Sequence, residues 1–258
     1  ACERAGNARV MAVVKADGYG HGIARIASAL ADIAPKYAVA CIEEAFAIRA
    51  AGHPQPVVLL QGVHAADDLA DCVKNQFEPV LHGGHQLQWL GQGNHLPDFW
   101  LKVNTGMNRL GFRSDDLPSV MARLEKMNAF PWLQGFVSHF ACADDAGSTM
   151  TSAQTATFEA ATSPWPSLMK SVGNSAAHFI PGQPLFDWSR PGIMLYGGSP
   201  IVGKTGPELG LEPVMTLEAP LITTRTVRAG ESVGYGAAWV AERDTRMGMV
   251  AIGYGDGY

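Results

Sequence analysis

Lys15 ends the apolar run Val10–Val14, and three glycines follow it closely, Gly18, Gly20 and Gly22, with Tyr19 and His21 between them. A lysine at the mouth of a buried strand loses its proton readily, because desolvation disfavours the ammonium. The neutral amine is the nucleophile that a Schiff base requires. Other polar residues fall at the ends of apolar runs or in the loops beyond them: Gln61, Lys102, Arg109, His139, Ser175 and Arg190. Arg109 offers fixed cationic donors to an oxygen anion, beyond the Thr105-Gly106 turn that follows Lys102. Gly173-Asn174-Ser175 and Gly192-Ile193 combine a hydroxyl, main-chain N–H groups and little bulk, which is what a phosphate site needs. His82-Gly-Gly-His85 has the outline of a metal clip, but no cysteine or carboxylate stands beside it at ligand spacing. It reads as a loop opening the helix that carries Leu87, Trp89 and Leu90, and no metal is expected.

The elements that must position these groups alternate. Apolar runs at Val10–Val14, Tyr37–Cys41, Pro56–Leu60, Phe77–Leu81, Phe99–Val103, Trp132–Ser138, Leu168–Val172 and Ile193–Leu195 read as strands. Between them, helices are expected near Ile23–Ile33, Glu43–Ala51, Ala65–Cys72, Gly84–Leu90, Asp115–Met127 and Ser152–Ala161. Glu43, Glu44, Asp115 and Asp116 lie in first turns, where the helix dipole favours acids. Eight strands separated by helices predict an α/β fold, a (β/α)8 barrel over residues 1–211 including its linker. Barrel chemistry gathers at the C-terminal strand ends, often with phosphate held after strands seven and eight. Beyond a glycine-rich linker, Gly197–Leu211, residues 212–258 turn β-like at Val214–Leu217, Leu221–Val227 and Met247–Ile252, the start of a β-rich second domain.

Composition narrows the function classes. The 258 residues are 47% hydrophobic and only 17% charged, which suits a large core. A net charge of −5 with singly scattered lysines and arginines leaves no basic footprint for nucleic acid. No apolar run approaches the roughly 20 residues that span a bilayer. Cys2, Cys41, Cys72 and Cys142 form no Cys-x-x-Cys pair and suit a reducing compartment, so a cytoplasmic location is expected.

Val13-Val-Lys-Ala-Asp-Gly-Tyr-Gly-His-Gly22 resembles the pyridoxal phosphate lysine motif of alanine racemases, with Asp17 and Gly18 where Asn and Ala are common. Lys102-Val-Asn-Thr-Gly-Met-Asn-Arg109 resembles a second motif of the family, with Asn104 in place of Asp; Val137-Ser-His-Phe-Ala141 and Ser189-Arg-Pro-Gly192 resemble two more. The resemblance implies that Lys15 carries pyridoxal 5'-phosphate, that Tyr19, Ser175, Gly192 and Ile193 hold its phosphate, and that Asn174 is among the cofactor-binding residues. It implies that Arg109 contacts the phenolic oxygen, supported by a Lys102 that is often carbamylated in the family. His139 would lie against the ring and Arg190 would face the pyridine nitrogen. A guanidinium stays protonated, so it donates to that nitrogen and leaves the ring a weaker electron sink.

Val233-Gly-Tyr-Gly-Ala-Ala-Trp239 resembles the stretch holding the family's second base, so Tyr235 is expected to act from the other subunit of a homodimer with shared sites. Ile252-Gly-Tyr-Gly-Asp-Gly-Tyr258 resembles another, placing Tyr254 at the substrate entrance. The family's β domain continues beyond this motif and its barrel begins earlier, so a chain truncated at both ends is expected. The resemblance therefore implies interconversion of L- and D-alanine by Lys15 and Tyr235, for cell-wall peptidoglycan or alanine catabolism. Two alternatives stand beside it: a non-catalytic pyridoxal phosphate-binding barrel, and a related barrel enzyme such as a broad-specificity racemase or a decarboxylase. Tyr235 and the Arg109 motif speak against the first, and Arg190, where decarboxylases carry an acid, against a decarboxylase.

Overall fold

The computed structural model describes residues 1–93 and 95–257; Asn94 and Tyr258, the last position of the Ile252–Tyr258 motif, lie outside the described residues. The chain folds as two compact units, residues 1–214 and 215–258. In the first, eight strands run parallel: β1 (Arg9–Val13), β2 (Lys36–Val39), β3 (Val57–Leu59), β4 (Phe77–Leu81), β5 (Phe99–Asn104), β6 (Leu133–Val137), β7 (Met169–Ser171) and β8 (Trp188–Ser189). Their order in the sheet is β7-β6-β5-β4-β3-β2-β1-β8, so β8 returns to lie beside β1, with Arg9 opposite Trp188. Helices α1 (Ile23–Leu30), α2 (Ile42–Ala50), α3 (Asp68–Asn75), α4 (Gly84–Leu90), α5 (Leu117–Lys126) and α6 (Met150–Thr162) follow β1 to β6 in turn. This is the (β/α)8 barrel that the alternation predicts. A two-residue strand, Phe112–Arg113, pairs parallel with the end of β5.

The pleat sorts each strand into two faces. Ala12, Tyr37, Val39, Val57, Leu59, Phe77, Phe99, Leu101 and Phe136 face the helices and build the outer core. Met11, Val13, Ala38, Val58, Val80, Trp100, Val137 and Trp188 fill the barrel interior. The next inward position on each strand is two residues further on. Those positions are Lys15, Ala40, Leu60, His82, Lys102, His139, Ser171 and Arg190. Six of these eight positions are polar, and their gathering at the strands' C-terminal ends is a consequence of strand parity.

Two sequence expectations are corrected. The eighth strand is Trp188–Ser189, and the apolar run Ile193–Leu195 instead forms a 3-10 helix, Ile193–Tyr196, closed by the left-handed Gly197. Met194 and Tyr196 are buried while Ile193 is exposed, an alternation that a strand would also produce. Position decides between them: Pro191, which lacks an N–H, ends the ladder, and its carbonyl accepts from Val13 N at 3.1 Å. At the boundary of the two units Val214–Leu217 forms no strand. The antiparallel pair of the second unit is β9 (Leu221–Val227) with β12 (Thr245–Val250), and between them lie two short paired strands, β10 (Ser232–Val233) and β11 (Trp239–Val240). No helix of the described residues is long and apolar enough to cross a membrane.

The bottom of the barrel interior holds a buried charge pair. Lys36 Nζ binds the Glu78 carboxylate, with the two side chains 11% and 6% exposed. Trp100 Nε1 also donates to Glu78 Oε2 at 2.8 Å, and Lys36 Nζ lies 5.3 Å from the Trp188 ring centroid. Glu78→Leu strands the ammonium and is expected to cost about 3–5 kcal/mol in urea unfolding. The double replacement Lys36→Met/Glu78→Leu is expected to recover most of that loss. A single-variant loss below about 1 kcal/mol would mean that the pair is solvent-screened.

Candidate active site

A cavity of about 760 Å³ opens at the C-terminal ends of the barrel strands. Its lining brings together Lys15, Tyr19, Gln61, Lys102, Arg109, His139, Asn174, Ser175, Arg190, Gly192 and Ile193, residues spread over nearly 180 positions of sequence. Tyr235 and Tyr254 are not among them: both lie in the second unit, 96% and 91% exposed. His64, His82, His85, Gln86 and Asp144 also line the cavity and were not among the expected site residues. Strand parity would have found His82, which follows Glu78 and Val80 on the inward face of β4.

Each local structure has a cause. After Lys15 the main chain enters a left-handed turn, with positive φ from Ala16 to Gly20. Asp17 Oδ1 accepts from Ile23 N at 2.8 Å and so starts α1, a role that the Asn common at this position also fits. Asn104 Oδ1 accepts from Gly106 N at 3.1 Å and Asn108 N at 3.0 Å, closing the turn that delivers Arg109. Asn in place of Asp keeps both bonds and adds a third, from Nδ2 to Asn108 Oδ1.

Arg190 is 4% exposed. Its guanidinium donates to Ser171 Oγ, to Ser138 O at 2.5 Å and to Val172 O at 3.3 Å, and approaches His139 Nδ1 at 3.4 Å. Burial pulls its pKa down to about 10, which leaves it protonated at neutral pH. Four cationic side chains line the cavity, Lys15, Lys102, Arg109 and Arg190, against one carboxylate among the described lining residues, Asp144. The imbalance is felt. Burial, then Arg190, Arg109 and Lys15, hold Lys102 down to about 7. Burial and the same cations, with Lys102, hold His139 well below the usual imidazole range, so it is neutral and can accept from Arg190.

Opposite these groups lies a small cradle. Ser175 Oγ accepts from Gly192 N at 2.8 Å and Met194 N at 3.4 Å, which leaves its own proton free to be donated. A Cβ on Gly192 would fall 2.2 Å from Tyr19 Oη, so only glycine leaves this corner open. Tyr19 is steadied by Tyr196, ring centroids 4.7 Å apart, and Tyr196 Oη donates to Val13 O at 3.2 Å. A lysine amine, a hydroxyl-lined cradle and surplus positive charge together suit a carbonyl compound bearing a phosphate, and pyridoxal phosphate fits that set. Among the described residues no group of three or more His, Cys, Asp or Glu is arranged to hold a metal.

Lys102 also makes stability pH-dependent. Its pKa is about 7 folded against 10.5 for an unperturbed lysine. The unfolded chain therefore binds more protons between those values, and stability rises with pH across that window and is lost as pH falls toward 7. With Lys102 as the free amine, Lys102→Met is expected to flatten this part of the stability–pH curve of the protein. An unchanged slope would assign the titration to another group.

The chain is similar to known proteins over nearly its whole length. Residues 1–200 match the family described as alanine racemase, N-terminal domain, and residues 214–258 the alanine racemase, C-terminal domain. The alanine racemase of Marinobacter nauticus is 68% identical over 256 residues, 99% of this chain and 71% of that protein. That of Hahella chejuensis is 46% identical over 269 residues, 98% of this chain and 70% of that protein. The solved biosynthetic alanine racemase of Pseudomonas aeruginosa has a TM-score of 0.89 at 40% identity, covering 99% of this chain and 72% of its own. The alanine racemase of Bartonella henselae, solved with covalently bound pyridoxal phosphate, has a TM-score of 0.82 at 29% identity over the same shares. By both of its domains, by sequence identity and by fold, the chain belongs to the alanine racemase family of isomerases.

Proposed function

We propose that this chain interconverts L- and D-alanine with pyridoxal 5'-phosphate as its cofactor. The observation that carries the reading is the convergence of Lys15, the Tyr19–Ser175–Gly192 cradle and Arg190 on one cation-rich cavity. When bound, the cofactor supplies an electron-withdrawing ring that acidifies the α-C–H of an attached amino acid. Lys15 Nζ would hold its aldehyde carbon. Tyr19, Ser175, Gly192 and Ile193 would hold the phosphate, with Asn174 at the edge of the cradle. Arg109 would donate to the phenolic oxygen and Arg190 to the ring nitrogen, while His139 lies against the ring.

Proton transfer on two faces follows from two bases. Lys15 Nζ, freed when substrate takes its place, removes or returns the α-proton on one face. Tyr235 of the partner subunit does the same on the other. An exposed tyrosine in a unit of some forty residues, too small for a large core of its own, supports a role across a subunit contact. Tyr254 would line the substrate entrance. Lys102, held near neutrality by burial and its cationic neighbours, is suited to carbamylation. Its Nζ lone pair would bond to the carbon of CO2 as one N–H proton leaves to solvent, and the resulting anion would answer Arg109. The D-alanine formed would serve peptidoglycan, or the reverse reaction alanine catabolism. The free thiols of all four cysteines support a reducing, cytoplasmic setting.

Borohydride reduction of the protein with pyridoxal phosphate is expected to fix the cofactor on Lys15, located by peptide mass, and Lys15→Ala is expected to lose both this label and alanine racemisation. Retention of the active-site label in Lys15→Ala would overturn the assignment. A labelled wild type that does not turn over alanine would favour the non-catalytic binding barrel.

A shared site predicts complementation. Inactive Lys15→Ala and Tyr235→Phe subunits, mixed under exchange, form heterodimers with one doubly defective site and one intact site, so part of the activity returns. No return despite demonstrated exchange would place both bases in one subunit.

A further inference from the structure

We infer that Glu44 is a positioning residue for Lys15, acting through the main chain immediately after it. The inference rests on the reading of Lys15 given above. It adds a residue outside the motifs that carry the family resemblance.

Lys15 leaves β1 into a turn that ordinary L-residues resist. Ala16, Asp17 and Tyr19 have φ of 54°, 53° and 54°, and each such residue in the left-handed region costs about 1–2 kcal/mol. Something outside the turn must hold it. Within it, Gly18 N donates to Val14 O at 2.9 Å, Gly20 N to Ala16 O at 3.0 Å and Gly22 N to Asp17 O at 2.8 Å. The N–H of Ala16, the residue bonded to Lys15, turns outward and donates to Glu44 Oε1 at 2.6 Å. Glu44 Oε2 accepts from Ala40 N at 2.8 Å. One half-buried carboxylate, in the first turn of α2, thereby ties the exit of β1 to the exit of β2. Hydrogen bonds to a carboxylate are about twice as strong as neutral ones, and both oxygens are used.

This arrangement demands an acid. Gln in the same place offers one carbonyl oxygen and one NH2, and the NH2 would meet an N–H that needs an acceptor. One strut is then lost, the peptide between Lys15 and Ala16 loses its anchor to α2, and Nζ moves off the line to the α-carbon. A misplacement of about 1 Å at a reacting group costs on the order of 100-fold in rate.

The test separates positioning from support of the fold. Lys15 serves one face of the substrate only, so a misplaced Lys15 slows proton abstraction from one enantiomer. In Glu44→Gln holoenzyme, kcat is expected to fall about 100-fold. The primary isotope effect with α-deuterated alanine is expected to rise for one enantiomer and not for the other. A merely structural role would lower the active fraction and leave both isotope effects at the wild-type value, and that result would overturn the inference. So would an equal rise with both enantiomers. If Glu44→Gln does not accumulate as folded holoenzyme, Glu44→Asp, which keeps the charge and shortens the reach by one methylene, is judged by the same readout. Lys15→Ala is measured alongside. If it still racemises alanine, the reading of Lys15 itself fails. If it is inactive while the Glu44 variants keep wild-type isotope effects, only the role of Glu44 fails.

Discussion

The buried guanidinium of Arg190 is the interaction on which both the barrel and its cavity depend. The seam between β7 and β8 is held by bonds outside any regular parallel ladder. Arg190 N donates to Gly173 O at 2.7 Å, its side chain reaches Ser171 Oγ, and Ser171 Oγ in turn donates to Trp188 O at 2.7 Å. Asp187 N and Lys170 O add another bond at 3.1 Å. A short eighth strand needs this help, because two residues of ladder against β1 are a weak closure. The same guanidinium reaches Ser138 O, at the end of β6. Three strands therefore meet on one charge, and a buried charge must be met by such acceptors to be tolerated.

That charge sets the electrostatics above it. Burial first, and then Arg190, Arg109 and Lys15, disfavour protonation of Lys102 and His139. The result is a neutral imidazole and a lysine that titrates near neutrality, inside a cavity with surplus positive charge. Such a site prefers an anionic occupant, and the cradle at Tyr19, Ser175 and Gly192 has the space for one. The ion pair Lys36–Glu78 at the opposite end of the barrel is self-compensated and makes no such demand. The two ends of one interior thus divide the work, charge balanced where the barrel is closed and unbalanced where it opens.

Positioning comes from residues remote in sequence. Gln154 on α6 is 1% exposed; its Nε2 donates to Thr105 Oγ1 at 3.1 Å and His139 O at 2.9 Å, and its Oε1 accepts from Ala141 N at 2.9 Å. Thr105 Oγ1 also meets Ser138 Oγ at 2.8 Å. This network joins the turn that leads to Arg109 with the segment that carries His139, much as Glu44 joins the exits of β1 and β2. Side chains of two outer helices therefore hold the segments that carry Lys15, Arg109 and His139.

The sequence by itself determined a great deal. Alternating apolar runs and helical stretches specified the barrel, since period and length are local properties of the chain. Seven of the eight strands and all six expected helices fall close to where their patterns place them. The cavity-lining residues Lys15, Lys102 and His139 were legible because each lies at the end of an expected strand, and Arg190 was legible through its motif Ser189-Arg-Pro-Gly192. The tertiary structure decided what local pattern leaves open. Trp188–Ser189 is a strand because β1 offers it a partner, and Ile193–Tyr196 is a helical turn although its burial alternates like a strand. His82 belongs to the cavity wall because β4 faces inward at that parity. Glu44 and Gln154 carry no motif, and the most distant partner of each lies 28 and 49 residues away. Side-chain bonds to groups distant in sequence leave no periodic trace, and only the closed barrel brings those groups within reach.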